Sequence, residues 1–342
     1  GQLNLFGQSY GLYVTATYAY MATGSWGLQN VNISNPTTPV LIGNYDTPDV
    51  SLGVYLSGVY AYVADAASGL QIINISDRAH PTLTATFSDP SRTPVGIYIT
   101  GSYAYIADGL LGMRIANISN PATPTLTGSL DTPGYANNIV VSGAYAYVAD
   151  ENGGLRIVNI LNPTVPIEIG HYSASSWVLA LAVQGSYAYL AVSDAGLMVV
   201  DISSPANPIL FTTYDTPHNA RGVTVSGSYV YVADQDSLII LRFTSTGVDD
   251  NEMLPNNITL SQNYPNPFNA QTTLEYGLAS ESLVSIRVYN ISGQIIATLE
   301  QGIQGAGEHQ AVWNAEDVPS GIYFARLQAG ESIKSIRMVL LK

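Results

Sequence analysis

The segment Tyr-Ala-Tyr, then an apolar residue, then Ala begins at Tyr18, Tyr60, Tyr103, Tyr145 and Tyr187. A sixth copy begins at Tyr229, with Val230 in place of the first Ala. The successive spacings are 42, 43, 42, 42 and 42 residues. A period of this size belongs to stacked architectures, in which one supersecondary unit cannot bury its apolar face alone.

Each unit reads as four short strands. The first is apolar and ends in a Ser-Gly turn, as at Ser142-Gly143. The second is the Tyr-Ala-Tyr strand. The third alternates, as over residues 155–160, and a Pro-containing turn such as Asn120 to Pro124 leads to the fourth, as over residues 125–130. Turn residues recur every few positions between β-branched runs, and no stretch holds a helical period. Four strands per unit predict an all-β fold of propeller blades. Tyr145 and Tyr147 fall on one strand face and Ala146 and Val148 on the other, so large side chains meet small ones between stacked blades. The sixth unit stops after its third strand, residues 238–243, and residues 3–7 resemble a fourth strand. The expectation is a six-bladed β-propeller of four-stranded blades, with the N-terminal strand closing the last blade and hiding its edge. If residues upstream of Gly1 have been trimmed, the expectation extends to seven or more blades.

At the third strand a family resemblance becomes specific. Leu197-Met198-Val199-Val200-Asp201, Leu155-Arg156-Ile157-Val158-Asn159 and Leu70-Gln71-Ile72-Ile73-Asn74 resemble the LVIVD repeat over residues 1–243. Asn replaces the final Asp in every unit but the fifth, and the sixth lacks it. The resemblance implies a propeller of bacterial or archaeal surface and secreted proteins, with no general enzymatic activity.

Beyond residue 243 the grammar changes. Residues 244–255 are polar and read as a linker. Residues 256–342 hold six or seven short alternating strands, with turns at Ser292-Gly293, Gly305 to Gly307 and Ser320-Gly321, which predicts a small immunoglobulin-like β-sandwich. Asn263-Tyr264-Pro265-Asn266-Pro267-Phe268-Asn269, Val288-Tyr289-Asn290 with Gly293-Gln294, Trp313, Ser320-Gly321-Ile322-Tyr323 and the terminal Lys342 closely resemble the type A C-terminal sorting domain of the type IX secretion system. The resemblance implies that residues 256–342 address the chain to the secretion translocon. It also implies a secreted or outer-membrane-surface protein of a Gram-negative, Bacteroidetes-like bacterium, and an N-terminal export signal. Residues 1–10 have neither the basic nor the apolar region of such a signal.

Composition narrows the chemistry. Eleven basic against 25 acidic residues give a net charge of −14, which argues against nucleic acid as the partner. No cysteine means no thiolate metal site and no thiol nucleophile. No apolar run is long enough for a transmembrane segment. The four histidines are dispersed without metal-ligand spacing, and no catalytic set is read. The repeated aspartates read as turn residues. A ring of them is the only route to calcium, which needs six to eight converging oxygens. Aligning the blade-to-blade loops on the Tyr anchor exposes departures at Arg92, Tyr135, Asn137, Asn138, Trp177, His218, Asn219 and Arg221. Loops that break a repeat's rule are candidates for a ligand face. Two functions fit: a binding or adhesion propeller for an extracellular glycan or protein, and a cation-dependent hydrolase or lactonase with its site at the mouth of the propeller channel.

Overall fold

A computed structural model describes residues 2–5, 7–88, 93–244, 247–249, 258–278, 280–330 and 332–342. The chain divides into two compact units, Gly1–Val248 and Asp249–Lys342. The first holds six four-stranded antiparallel sheets, one per repeat, spanning residues 11–45, 51–87, 96–130, 138–172, 180–214 and 220–249. These are the propeller blades. The first strands of consecutive blades lie side by side, from blade one through blade six.

The Tyr-Ala-Tyr strands do what their pattern predicts. Tyr20, Tyr62, Tyr105, Tyr147 and Tyr189 are buried, and so are Ala61, Ala104, Ala146 and Ala188. Each blade turns one face to the blade before it and one to the blade after. Tyr20, Ala22 and Leu28 of blade one form a single cluster with Val54, Ala61, Val63 and Ile73 of blade two. The same pairing recurs between the later neighbours.

Two kinds of glycine set this spacing. Gly58 and Gly143 turn the first strand into the second with φ near +58°, where a Cβ is strained. Gly53 and Gly96 instead lie against the next first strand. A Cβ at Gly53 would stand 2.5 Å from the Val95 carbonyl oxygen, and one at Gly96 2.7 Å from that of Asn137. Asn32, Asn74 and Asn117 end third strands, and each accepts a hydrogen bond at 2.9 Å from the backbone two residues on. The N-x-[ST] patterns there are turns built by the Asn side chain.

The closure of the last blade differs from the expectation. Its fourth strand is Gly247–Asp249, directly downstream of the third strand, Ser237–Thr244. Residues 2–5 form no strand, and a Cβ on Gly7 would meet Thr23 and Trp26 of blade one. A strand a few residues away closes a short loop at small entropic cost. The segment 244–255 is therefore partly strand; its residues 245–246 and 250–255 lie outside the described residues.

The second unit packs a three-stranded sheet and a four-stranded sheet around one core. The first contains Thr259–Leu260, Gln271–Leu278 and Gly307–Asn314; the second orders Ile295–Gln304, Ser282–Asn290, Gly321–Ala329 and Ser332–Leu340. Alternate residues of the inner strands point inward, as in Gly321–Ala329, where Tyr323, Ala325, Leu327 and Ala329 are buried. Trp313 is the largest buried side chain, with its ring 5.3 Å from Phe268 and 5.2 Å from Tyr323.

Candidate functional site

The residues singled out in the loops converge on one feature. In every blade a residue one or two positions past the second strand has left-handed backbone: Gly24, Ala66, Gly109, Glu151, Ser193 and Gln235, with φ between 32° and 59°. Four of the six are not glycine, a conformation costing about 1–3 kcal/mol that persists only where surroundings enforce it. Here the enforcement is a bridge to the loop that leads into the next blade, as in Gly109 to Ala136, Glu151 to Val178 and Ser193 to Ala220.

Beneath these turns lie the aspartates that end the second strands. Asp65, Asp108, Asp150 and Asp234 are fully or almost fully buried. Each fastens its blade to a neighbouring backbone or side chain. Asp150 accepts from Thr132 Oγ1 at 2.5 Å and from the Gly134 amide at 2.9 Å, so the Asp-Thr-Pro loop is clamped to the blade it enters. Asp108 pairs with buried Arg114 Nε at 2.6 Å. At the matching positions blade five has Val192 and Met198, an apolar replacement of the kind a buried ion pair tolerates. The aspartates are structural clamps, and among the described residues no three acidic or histidine side chains gather to hold a metal.

Burial pushes the Asp65 carboxyl above the usual range, against the lowering effect of hydrogen bonds from Thr47, the Asp49 amide and Ser51. A carboxyl raised on folding contributes stability below its unfolded pKa and loses that contribution as pH rises through its folded pKa. The wild type should therefore gain stability relative to Asp65→Asn on going from pH 7 to about pH 4, just above the unfolded value. Urea melts at the two pH values measure the difference, and an unchanged difference would contradict it.

Above the clamps, blades four to six carry the departures from the repeat. Tyr135 lies on the bare backbone of Gly109, where a Cβ would stand 3.0 Å from its ring. Burial raises its phenol pKa, with the charges of Glu151 and Asp108 adding to the effect. Asn137 Nδ2 donates to Glu151 Oε1 at 2.7 Å. In the next loop Gly109's counterpart is Glu151, which has a side chain, and Tyr135's counterpart is Trp177, whose ring is 57% exposed. In the loop after that, Asn219 Nδ2 donates to Gln235 Oε1 at 3.5 Å. There the His218 amide donates to Asp234 Oδ2 at 3.0 Å, and its ring Nδ1 lies 3.5 Å from Asp236. Arg221 is exposed one residue beyond the buried Ala220.

Two candidates behave differently. Asn138 sits where strands converge, and its Oδ1 accepts from the Leu181 amide of the next blade at 3.4 Å, a link between blades. Arg92 lies outside the described residues. Sequence reasoning missed Glu151 and Gln235, which partner Asn137 and Asn219. Their signal was present: each follows a repeated Asp, at a place that is Gly in blades one and three.

The C-terminal motif divides into residues that build and residues that face outward. Buried Asn263 donates to the Pro265 carbonyl at 3.0 Å and to Thr272 at 2.9 Å. Asn266 Oδ1 accepts from the Val339 amide, and the Phe268 amide donates to the Val339 carbonyl, so residues 263–268 pin the last strand. Asn290 Oδ1 accepts from the Ser292 and Gln294 amides around Gly293, whose φ is 79°. The Lys342 amide donates to Ser320 Oγ, and its Nζ donates to the Glu316 carbonyl. Pro265, Pro267, Asn269 and Gln294 are exposed, and Tyr264 is 82% exposed.

The LVIVD repeat model matches residues 7–47, 51–89, 94–132, 133–174, 178–216 and 217–241. The model of a secretion system C-terminal sorting domain matches residues 262–342. A search of curated proteins finds no match. Among solved structures, the computationally designed protein Ika8 has a TM-score of 0.55 at 10% identity, covering 90% of this chain and 96% of its own. PorZ of Porphyromonas gingivalis, a bacterial surface component of the type IX secretion system, has a TM-score of 0.54 at 14% identity over 97% of this chain. This chain spans 59% of the PorZ length. The β-propeller domain of Cps50 from Myceliophteria thermophila has a TM-score of 0.58 at 10% identity, over 69% of this chain and 83% of that one. At these identities the likeness is one of fold. The chain belongs to the LVIVD repeat family and ends in a type IX sorting domain.

Proposed function

We propose that the protein is an exported binding propeller whose recognition face is the loop face of blades four to six, and that its ligand is a glycan. The sorting domain supplies the route to the cell surface or the medium. The observation that carries the binding reading is the arrangement around Trp177. A half-exposed indole stands in a loop whose neighbours hold the amide pairs Asn137–Glu151 and Asn219–Gln235. A flat exposed ring offers a stacking surface to the C–H face of a sugar. Fixed amides and carboxylates match sugar hydroxyls, which both donate and accept. The turns presenting these groups are anchored by backbone bridges, so little ordering is left to be done on binding.

The test is binding of the 342-residue protein to a glycan array and to an array of extracellular proteins, alongside Trp177→Ala. The expected result is glycan signals that fall at least tenfold in the variant, about 1.4 kcal/mol. Binding confined to proteins would replace the glycan by a protein ligand. Glycan binding unchanged by Trp177→Ala would place the face elsewhere.

A further inference from the structure

Residues 249–342 hold ten acidic residues against five basic ones, and three of the five are arginines. The fold brings all three arginines to the outer face of the four-stranded sheet. Ser282–Asn290 pairs with Gly321–Ala329 so that Arg287 stands directly opposite Arg326, and Tyr289 opposite Phe324. Gly321–Ala329 pairs in turn with Ser332–Leu340, which sets Arg337 opposite Phe324. Opposed residues share a face. Here it is the outer one, because the alternate residues Tyr323, Ala325 and Leu327 are buried. Ile322 and Phe324 are partly exposed, and Arg326 and Arg337 are exposed. The one carboxylate in these four strands is Glu300, opposite buried Ile286 and therefore on the other side. Among the described residues none of the three arginines is paired with a carboxylate.

Like charges directly opposite each other on a sheet cost stability, and an anion bridging them removes that cost. The arginines stand on a sheet face rather than in a cleft, which suits a broad surface better than an enclosed small molecule. Arg, Tyr and Phe are present on the face, and Lys, Glu and Asp are absent from it, the compositional bias of the centre of a protein interface. We propose that this face docks on an acidic protein surface whose carboxylates bridge Arg287 and Arg326, with Arg337 alongside. In a chain of net charge −14 such a patch also sets orientation, because an acidic partner is repelled by the excess negative charge elsewhere. The proposal rests on reading residues 262–342 as a secretion address, which makes the partner a component of the export machinery.

Two measurements on the full chain test this. Poly-L-glutamate should bind the parent, more weakly as salt rises. It should bind the double variant Arg287→Ala with Arg326→Ala roughly tenfold more weakly still. Behind an export signal in a secreting host, the same variant should reach the outside roughly tenfold less than the parent. Arg287→Lys with Arg326→Lys keeps the charge and loses the planar fork, so it should fall between the two. Calorimetry separates lost docking from lost folding: the Ala variant is relieved of a like-charge pair, so its sorting-domain transition should not fall. Polyglutamate that fails to bind would overturn the proposal, and so would phosphatidylglycerol vesicles that bind in its place. Parent-level export of the Ala variant, with export blocked by truncation after residue 261, would overturn it and leave the address intact. Export of both chains would remove the address on which it rests.

Discussion

Cut back to residues 1–261 and produced behind an export signal in a host with the type IX secretion system, the protein is expected to remain inside the outer membrane while the full chain reaches the surface or the medium. The matched sorting domain begins at residue 262 and holds every fully buried residue of the core around Trp313, so the cut removes that core and leaves only the short strand Thr259–Leu260 of the second unit behind. The propeller keeps its own five inter-blade clusters and should stay folded. Fractionation followed by immunoblotting reads the result. Undiminished appearance of the truncated chain outside the cell would remove the export assignment.

The second large effect is expected at Trp313. Its ring is 1% exposed and lies between Phe268 and Tyr323. Truncation to Ala removes the largest side chain of the core and leaves a cavity, at a cost of about 3–5 kcal/mol. Domains of this size are stable by only about 5–15 kcal/mol, so Trp313→Ala should leave the sorting domain partly or wholly unfolded. Differential scanning calorimetry of the full chain should show one transition lowered and the propeller transition in place. Tyr264→Ala, at an exposed motif position, should leave both transitions unmoved. If Trp313→Ala melted like the parent, the core assignment would fail.

The propeller was legible because its packing is periodic. A tyrosine facing an alanine across an interface must recur at the blade length, and that recurrence survives in the residues. The closure was not legible. Residues 3–7 have the apolar alternation of a fourth strand, whereas residues 247–249, which form it, sit in a polar stretch that reads as a linker; composition pointed away from the strand that closes the blade.

The candidate face was half legible. Tyr135, Asn137, Trp177 and Asn219 stood out because a repeat supplies its own background, against which a departure shows. Glu151 and Gln235 escaped because they follow the aspartates, in turns taken as structural. The left-handed backbone that lifts their side chains toward the loops is a property of φ that residue type alone does not display at non-glycine positions. Asn138, a departure from the small-residue rule, also serves the contact between two blades.

The account rests on an address and a binding face that act separately. The most direct test is Trp177→Ala in the full chain, produced in a secreting host, with export and glycan-array binding measured on the same preparation. The account predicts export at the parent level together with the loss of glycan binding. Export at the parent level with glycan binding retained would contradict it.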